Sequence, residues 1–206
     1  MSLLISDEAL ALIEAAGSDP AERFHHRRAA ARLDDEFGSP RRFGLGLGSL
    51  VGIVVAGFVL GLGVESIGDD GALALLGLAA GLAIGAPSVW LGIMVVRAGD
   101  RVRRAYARWV ADDAFGSPGR GSMVTRLFSG RNIVRSALAA FALIVAVFAW
   151  SCFGLALAPS DLADLRLAFA TMSLIWAVAF TASAYFLVAG EVRMGWAHSQ
   201  SVIRGL

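Results

Sequence analysis

Four stretches of this chain carry no charged side chain: residues 43–64, 72–96, 136–158 and 167–190. A bilayer core about 30 Å thick is crossed by roughly 20 residues of helix, so each stretch is long enough to span one. Closed helices are expected because lipid offers no partner to free backbone groups. The alternating polarity of barrel strands is missing from these stretches. Charged residues make up 17% of the chain, against about 25% in an ordinary soluble domain. They collect between the apolar blocks, with Arg41, Arg42, Arg97, Arg135, Arg166 and Glu191 at the edges. The expected fold is therefore an all-α integral membrane protein with four transmembrane helices.

Arginine placement predicts the orientation. Six arginines precede residue 43, and nine lie between Arg97 and Arg135 with those two included. The other two connections are short and acidic. One holds Glu65, Asp69 and Asp70, and the other holds Asp161 and Asp164 with Arg166. Both termini and the central connection are thus expected in the cytoplasm. The expected organisation is cytoplasmic helices over 1–42, a transmembrane hairpin over 43–96, a cytoplasmic connecting helix and loop over 97–135, a second hairpin over 136–190 and a cytoplasmic tail over 191–206. Every basic residue besides histidine is arginine, and alanine and glycine are abundant. That composition suggests a GC-rich bacterial genome and hence the inner membrane. Asp7, Glu8 and Glu14 come before the first arginine, Arg23, which is not the pattern of a signal peptide.

Two motifs occur twice in the same order, the mark of an internal repeat. Arg27-Arg28-Ala29-Ala30-Ala31-Arg32 matches Arg103-Arg104-Ala105-Tyr106-Ala107-Arg108. Asp34-Asp35-Glu36-Phe37-Gly38-Ser39-Pro40 matches Asp112-Asp113-Ala114-Phe115-Gly116-Ser117-Pro118. Coincidence in an Ala/Arg-rich chain could explain the first pair, but it explains the second poorly. The expectation is two duplicated hairpins, each preceded by a cytoplasmic amphipathic helix, as parallel copies about an axis normal to the membrane. Gly38 and Gly116 are placed to end the helices, with Pro40 and Pro118 stopping continuation. Asp34, Asp35, Asp112 and Asp113 then fall in a last helical turn, where the macrodipole disfavours anions. Local arginines such as Arg32 or Arg108 are the simpler offset, and pairing of Asp112 with Arg41 or Arg42 across the repeats is the alternative.

Small residues recur at spacing four, which puts them on one helix face: Gly44, Gly48, Gly52 and Ala56 in the first span, and Gly77, Gly81 and Gly85 in the second. Such a glycine zipper lets backbones approach closely. Its partner is either the other span of the hairpin or another chain. Ala142 and Ala146, then Ser173, Ala177 and Thr181, mark the later spans. Pro87 removes a donor and frees the carbonyl of Ala83, so a kink is expected there, with Ser88 as a partial substitute. Trp109 and Trp196 suit anchors at the membrane interface. Leu10 and Ile13, opposite Asp7, Glu8 and Glu14, suggest an amphipathic helix ending near Gly17 that lies on the membrane or docks a partner. Asp19, Pro20 and Glu22 read as a second helix start.

No span has Asp, Glu, Lys, Arg or His in its interior, which argues against ion-coupled transport and intramembrane haem ligation. The histidines are His25, His26 and His198; Glu22 with His25 or His26 has helical spacing, but one such pair is too few ligands for a metal site. The lone Cys152 lies in an apolar block and acts as a small hydrophobe. No cofactor is expected. The basic central connection is better explained by topology and lipid headgroups than by nucleic acid. The expected partners are the bilayer and either another membrane protein or a second copy. A non-enzymatic scaffold or accessory subunit fits best. The alternatives are a small homo-oligomeric channel or membrane-permeabilising protein, and a lipid-modifying enzyme using Asp112 and Asp113.

Overall fold

The computed structural model describes residues 4–17, 29–111, 130–158 and 163–204. Among them every regular element is a helix: α1 (Asp7–Ala15), α2 (Ala29–Phe37), α3 (Pro40–Glu65), α4 (Gly71–Ala111), α5 (Gly130–Leu157) and α6 (Ala163–Arg204). Four of these, α3 to α6, are long and apolar enough to cross a membrane. The second DDxFGSP copy, with Asp112, Asp113, Phe115, Gly116 and Pro118, lies outside the described residues, as does the Asp19–Glu22 helix start.

Local chemistry sets the helix starts. Ser6 caps α1, its hydroxyl accepting the Ala9 N–H at 3.3 Å. Pro40 opens α3 and fits the first helical position, where no N–H is needed; the Ser39 carbonyl takes the Phe43 N–H at 3.1 Å. The Asp70 carboxylate accepts from the Ala72 and Leu73 N–H groups at 2.9 and 3.3 Å, an N-cap for α4. The helices overrun the charge-free blocks. α4 continues fifteen residues past Val96, through the Arg103–Arg108 motif, to Ala111. The two copies of the arginine motif are therefore in different settings: residues 29–32 open the short α2, whereas 103–108 belong to the last third of a 41-residue helix. Residues 97–111 of the expected connecting stretch continue α4, and residues 112–129 of that stretch lie outside the described residues.

The chain divides into two compact units. The first contains residues 1–44, 94–136 and 187–206. Its core joins Ile5, Ala9, Leu12 and Ala16 around α1 to Ala29, Ala30 and Leu33 of α2 and to Ala98, Val102, Ala105, Tyr106, Trp109 and Val110 of α4. Leu33, Val102, Tyr106 and Trp109 are its largest fully buried side chains. The apolar face of α1 is thus Ile5, Ala9 and Leu12, with Leu10 and Ile13 only partly buried, and it packs inside the protein instead of on a membrane. Trp109, 2% exposed, donates its indole N–H to the Leu12 carbonyl at 3.1 Å. It is a core residue and not an interface anchor. The side chain of Trp196 is not among those described.

The second unit contains residues 45–93 and 137–186. Its buried side chains are almost all small: Ser49, Ala56, Ala74, Ala139, Ala142, Ala146, Ala149, Ser173, Ala177 and Ala184 are among them. Large apolar side chains point away from it, and on α5 Phe141, Ile144, Phe148 and Leu155 share an exposed face at helical spacing.

Candidate functional site

Two places concentrate the features singled out in the sequence: the turn between α2 and α3 in the first unit, and the helix seam of the second.

The turn is short. The Gly38 N–H meets the Asp34 and Asp35 carbonyls at 3.2 and 3.1 Å, and the Ser39 N–H meets the Glu36 carbonyl at 3.1 Å. Two arginines then take the carbonyls at the end of α2. Arg42 donates to the Glu36 carbonyl, and Arg135 donates to that of Phe37 at 2.9 Å. The Arg135 guanidinium also stands 4.9 Å from the centre of the Phe37 ring, a cation–π geometry. Cations at this helix end complement its macrodipole. Arg42 is one of the two arginines that the sequence offers as a partner for Asp112, which lies outside the described residues; Arg135 is not among those it offers, and Arg32 approaches exposed Glu8 at 3.5 Å. The donor from Arg135 comes from a residue 98 positions away from its acceptor, and no local motif announces it.

Arg42 is buried, with Nη1 lacking a hydrogen-bond partner. Burial pushes its guanidinium below the ordinary value; the Glu36 carboxylate opposes that shift, and Arg135 adds to it. Glu36 also reaches α1, accepting from the Ser6 hydroxyl at 2.9 Å and the Ser6 N–H at 3.3 Å. Ser6, Glu8, Arg32, Asp35, Glu36 and Ser39 border a shallow groove of about 240 Å³ beside the turn. Among the described residues no group of three or more His, Cys, Asp or Glu could hold a metal ion.

The seam runs along α3 and α4 as an antiparallel pair. A Cβ on Gly77 would lie 2.7 Å from Gly63 Cα, and one on Gly81 would lie 2.5 Å from Leu60 Cγ. One on Gly85 would meet Ala56 Cβ at 3.2 Å, one on Gly52 would strike the Ser88 hydroxyl, and one on Gly92 would come within 2.7 Å of the Ser49 hydroxyl. The partners 63 and 77, 60 and 81, 56 and 85, 52 and 88, and 49 and 92 keep a constant register. Gly44 and Gly48 meet nothing within 4 Å. The contact line therefore leaves the strict spacing-four row at Gly52 and includes Ser49, Gly63 and Gly92, which that row omits. Gly57 and Gly61 face α6 on another side, near Trp176 and Ala168, and the Trp176 indole donates to the Val54 carbonyl at 3.0 Å.

Pro87 lies within α4, and the helix continues through it. The Ser88 hydroxyl donates to the Ile84 carbonyl at 2.7 Å, one residue beyond the carbonyl the proline frees. Ser49 donates to the Ser88 carbonyl at 2.7 Å. The weakened stretch of helix is thus tied to α3 across the seam.

The features together define an all-helical protein with four helices of membrane-crossing length and composition. No known protein family, characterised protein or solved structure matches the chain.

Proposed function

We propose that this chain is a non-enzymatic, multi-pass protein of a bacterial inner membrane, acting as a scaffold or accessory subunit of a membrane complex. The observation that carries the reading is the arrangement of the second unit, with small residues inside and large apolar ones outside. In water this is inverted. In lipid it is the expected arrangement, because close backbone contact replaces the hydrophobic term as the source of helix association. The exposed face of α5, Phe141, Ile144, Phe148 and Leu155, is then covered by lipid or by another spanning protein.

The first unit supplies the remainder of the proposal. It holds most of the arginines, and positive charge is retained on the cytoplasmic side. Its core of large side chains gives α1 and α2 a fixed platform for a partner. The paired motifs support descent of the two hairpins from one ancestral unit. In that history the second arginine motif became part of α4 while the first stayed on its own short helix.

Purification of a tagged chain in gentle detergent, with native mass spectrometry, tests the assignment. The expected result is membrane extraction only with detergent, and a stoichiometric complex with a second membrane protein. A homo-oligomer that makes liposomes leak would replace the scaffold reading with a pore. A chain that is monodisperse in buffer without detergent would remove both.

A further inference from the structure

At the Glu65 end of α3 the second unit contains an apolar cleft of about 420 Å³. Phe58, Leu62, Leu155, Phe169 and Met172 supply its walls, and Gly61 faces α6 closely, a Cβ built there lying 3.1 Å from the Ala168 carbonyl. Among the described residues, Glu65 and Arg166 are the charged ones that line it. Nε and Nη2 of Arg166 are buried without a hydrogen-bond partner. A guanidinium is always charged and presents donors in a planar fork that matches phosphate. Buried donors of a charged group left unpaired are costly, and they are normally matched.

We propose that this cleft holds one glycerophospholipid, with its phosphate on Arg166 and an acyl chain along the apolar wall. From Glu65 to Phe58 the helix rises about 10 Å, enough for the upper part of a chain. An apolar trough and a phosphate-shaped cation side by side match an amphiphile better than a peptide or a free anion. Glu65 on the same rim favours a zwitterionic headgroup, whose ammonium it can meet, over a purely anionic one. The site depends on the membrane reading above but not on the scaffold assignment.

The test uses the full chain purified in detergent, titrated with phosphatidylethanolamine and followed by native mass spectrometry. Diacylglycerol with the same acyl chains serves as the phosphate-free comparison. The expected result is one retained phospholipid per chain, with diacylglycerol binding at least about tenfold more weakly, a difference of about 1.4 kcal/mol. Arg166→Gln should lose a similar factor, Arg166→Lys should lose less, and Arg97→Gln, in the other unit, should bind like the original chain. Equal binding of diacylglycerol, or Arg166→Gln binding like the original chain, overturns the proposal. If Arg166→Gln does not fold, the diacylglycerol comparison on the original chain still decides. A chain soluble without detergent would instead refute the membrane reading.

Discussion

Glu36 joins three parts of the first unit. Its carboxylate holds the N-cap residue of α1 through Ser6, its carbonyl takes a hydrogen bond from Arg42, and its charge opposes the burial of that guanidinium. Glu36→Ala removes the hydrogen bonds to Ser6 and leaves Arg42 with less compensation. The expected cost is about 1–3 kcal/mol, since hydrogen bonds involving charged groups contribute in that range. Thermal unfolding in detergent, followed by tryptophan fluorescence of the first unit, reads it. An unchanged midpoint would show that α1 is held by its apolar face alone. Arg42 itself should add no pH dependence around neutrality. A base with a lowered folded-state pKa is penalised wherever it is protonated in both states. That penalty is relieved only as the pH rises through the folded-state value, far into the alkaline range for a guanidinium. The sequence places the helix-ending Phe37–Pro40 turn but not its arginines. Arg42 is two residues past Pro40 and reads as a flanking charge, and Arg135 reaches Phe37 only through tertiary packing.

Helix ends show the same limit at the scale of an element. Charge-free blocks mark where lipid would begin and end, and all four lie almost entirely within the observed helices. They do not mark where helices stop, because arginine and alanine are good helix formers. That is why α4 continues to Ala111 and brings Tyr106 and Trp109 into the core of the first unit. Trp109→Ala should cost about 3–5 kcal/mol, as for other large-to-small core changes, and should release α1, which a protease-protection assay of residues 7–15 would detect. On the seam, glycine occurs on several faces of α3, and spacing alone cannot choose among them. The register with α4 does choose. Gly77→Leu must displace Gly63 backbone and is expected to destabilise the hairpin by more than the about 1–3 kcal/mol of ordinary overpacking. Gly48→Leu meets open space and should leave the hairpin intact. The two variants compared by detergent unfolding separate the structural contact line from the simple spacing-four row. If Gly48→Leu dissociates an assembly while the hairpin survives, Gly44 and Gly48 belong to a contact with another chain.

For the molecule as a whole, the proposed orientation makes a prediction that differs from every alternative. The connection at Gly68 is acidic and free of arginine, whereas Arg108 lies in the arginine-rich unit. Under the proposed orientation, retention of arginine inside would put these two positions on opposite sides of a bilayer. In a Cys152→Ala background, a cysteine at Gly68 should react with a membrane-impermeant maleimide on spheroplasts with the outer membrane removed. A cysteine replacing Arg108 should react at least about tenfold less until the membrane is permeabilised, a contrast that follows from burial of the intervening apolar helix in lipid. The reversed pattern would invert the orientation while leaving the spans in place. Labelling of both sites only after lysis would place the whole chain inside the cell and make the apolar exterior of the second unit a protein-covered surface. Because the four blocks alternate with arginine-rich and arginine-poor connections, an inverted insertion would carry fifteen arginines from the first segment and the central connection across the membrane. That burden is the basis of the proposed orientation, and it acts through the placement of the charges, since the net charge of the chain is only +1.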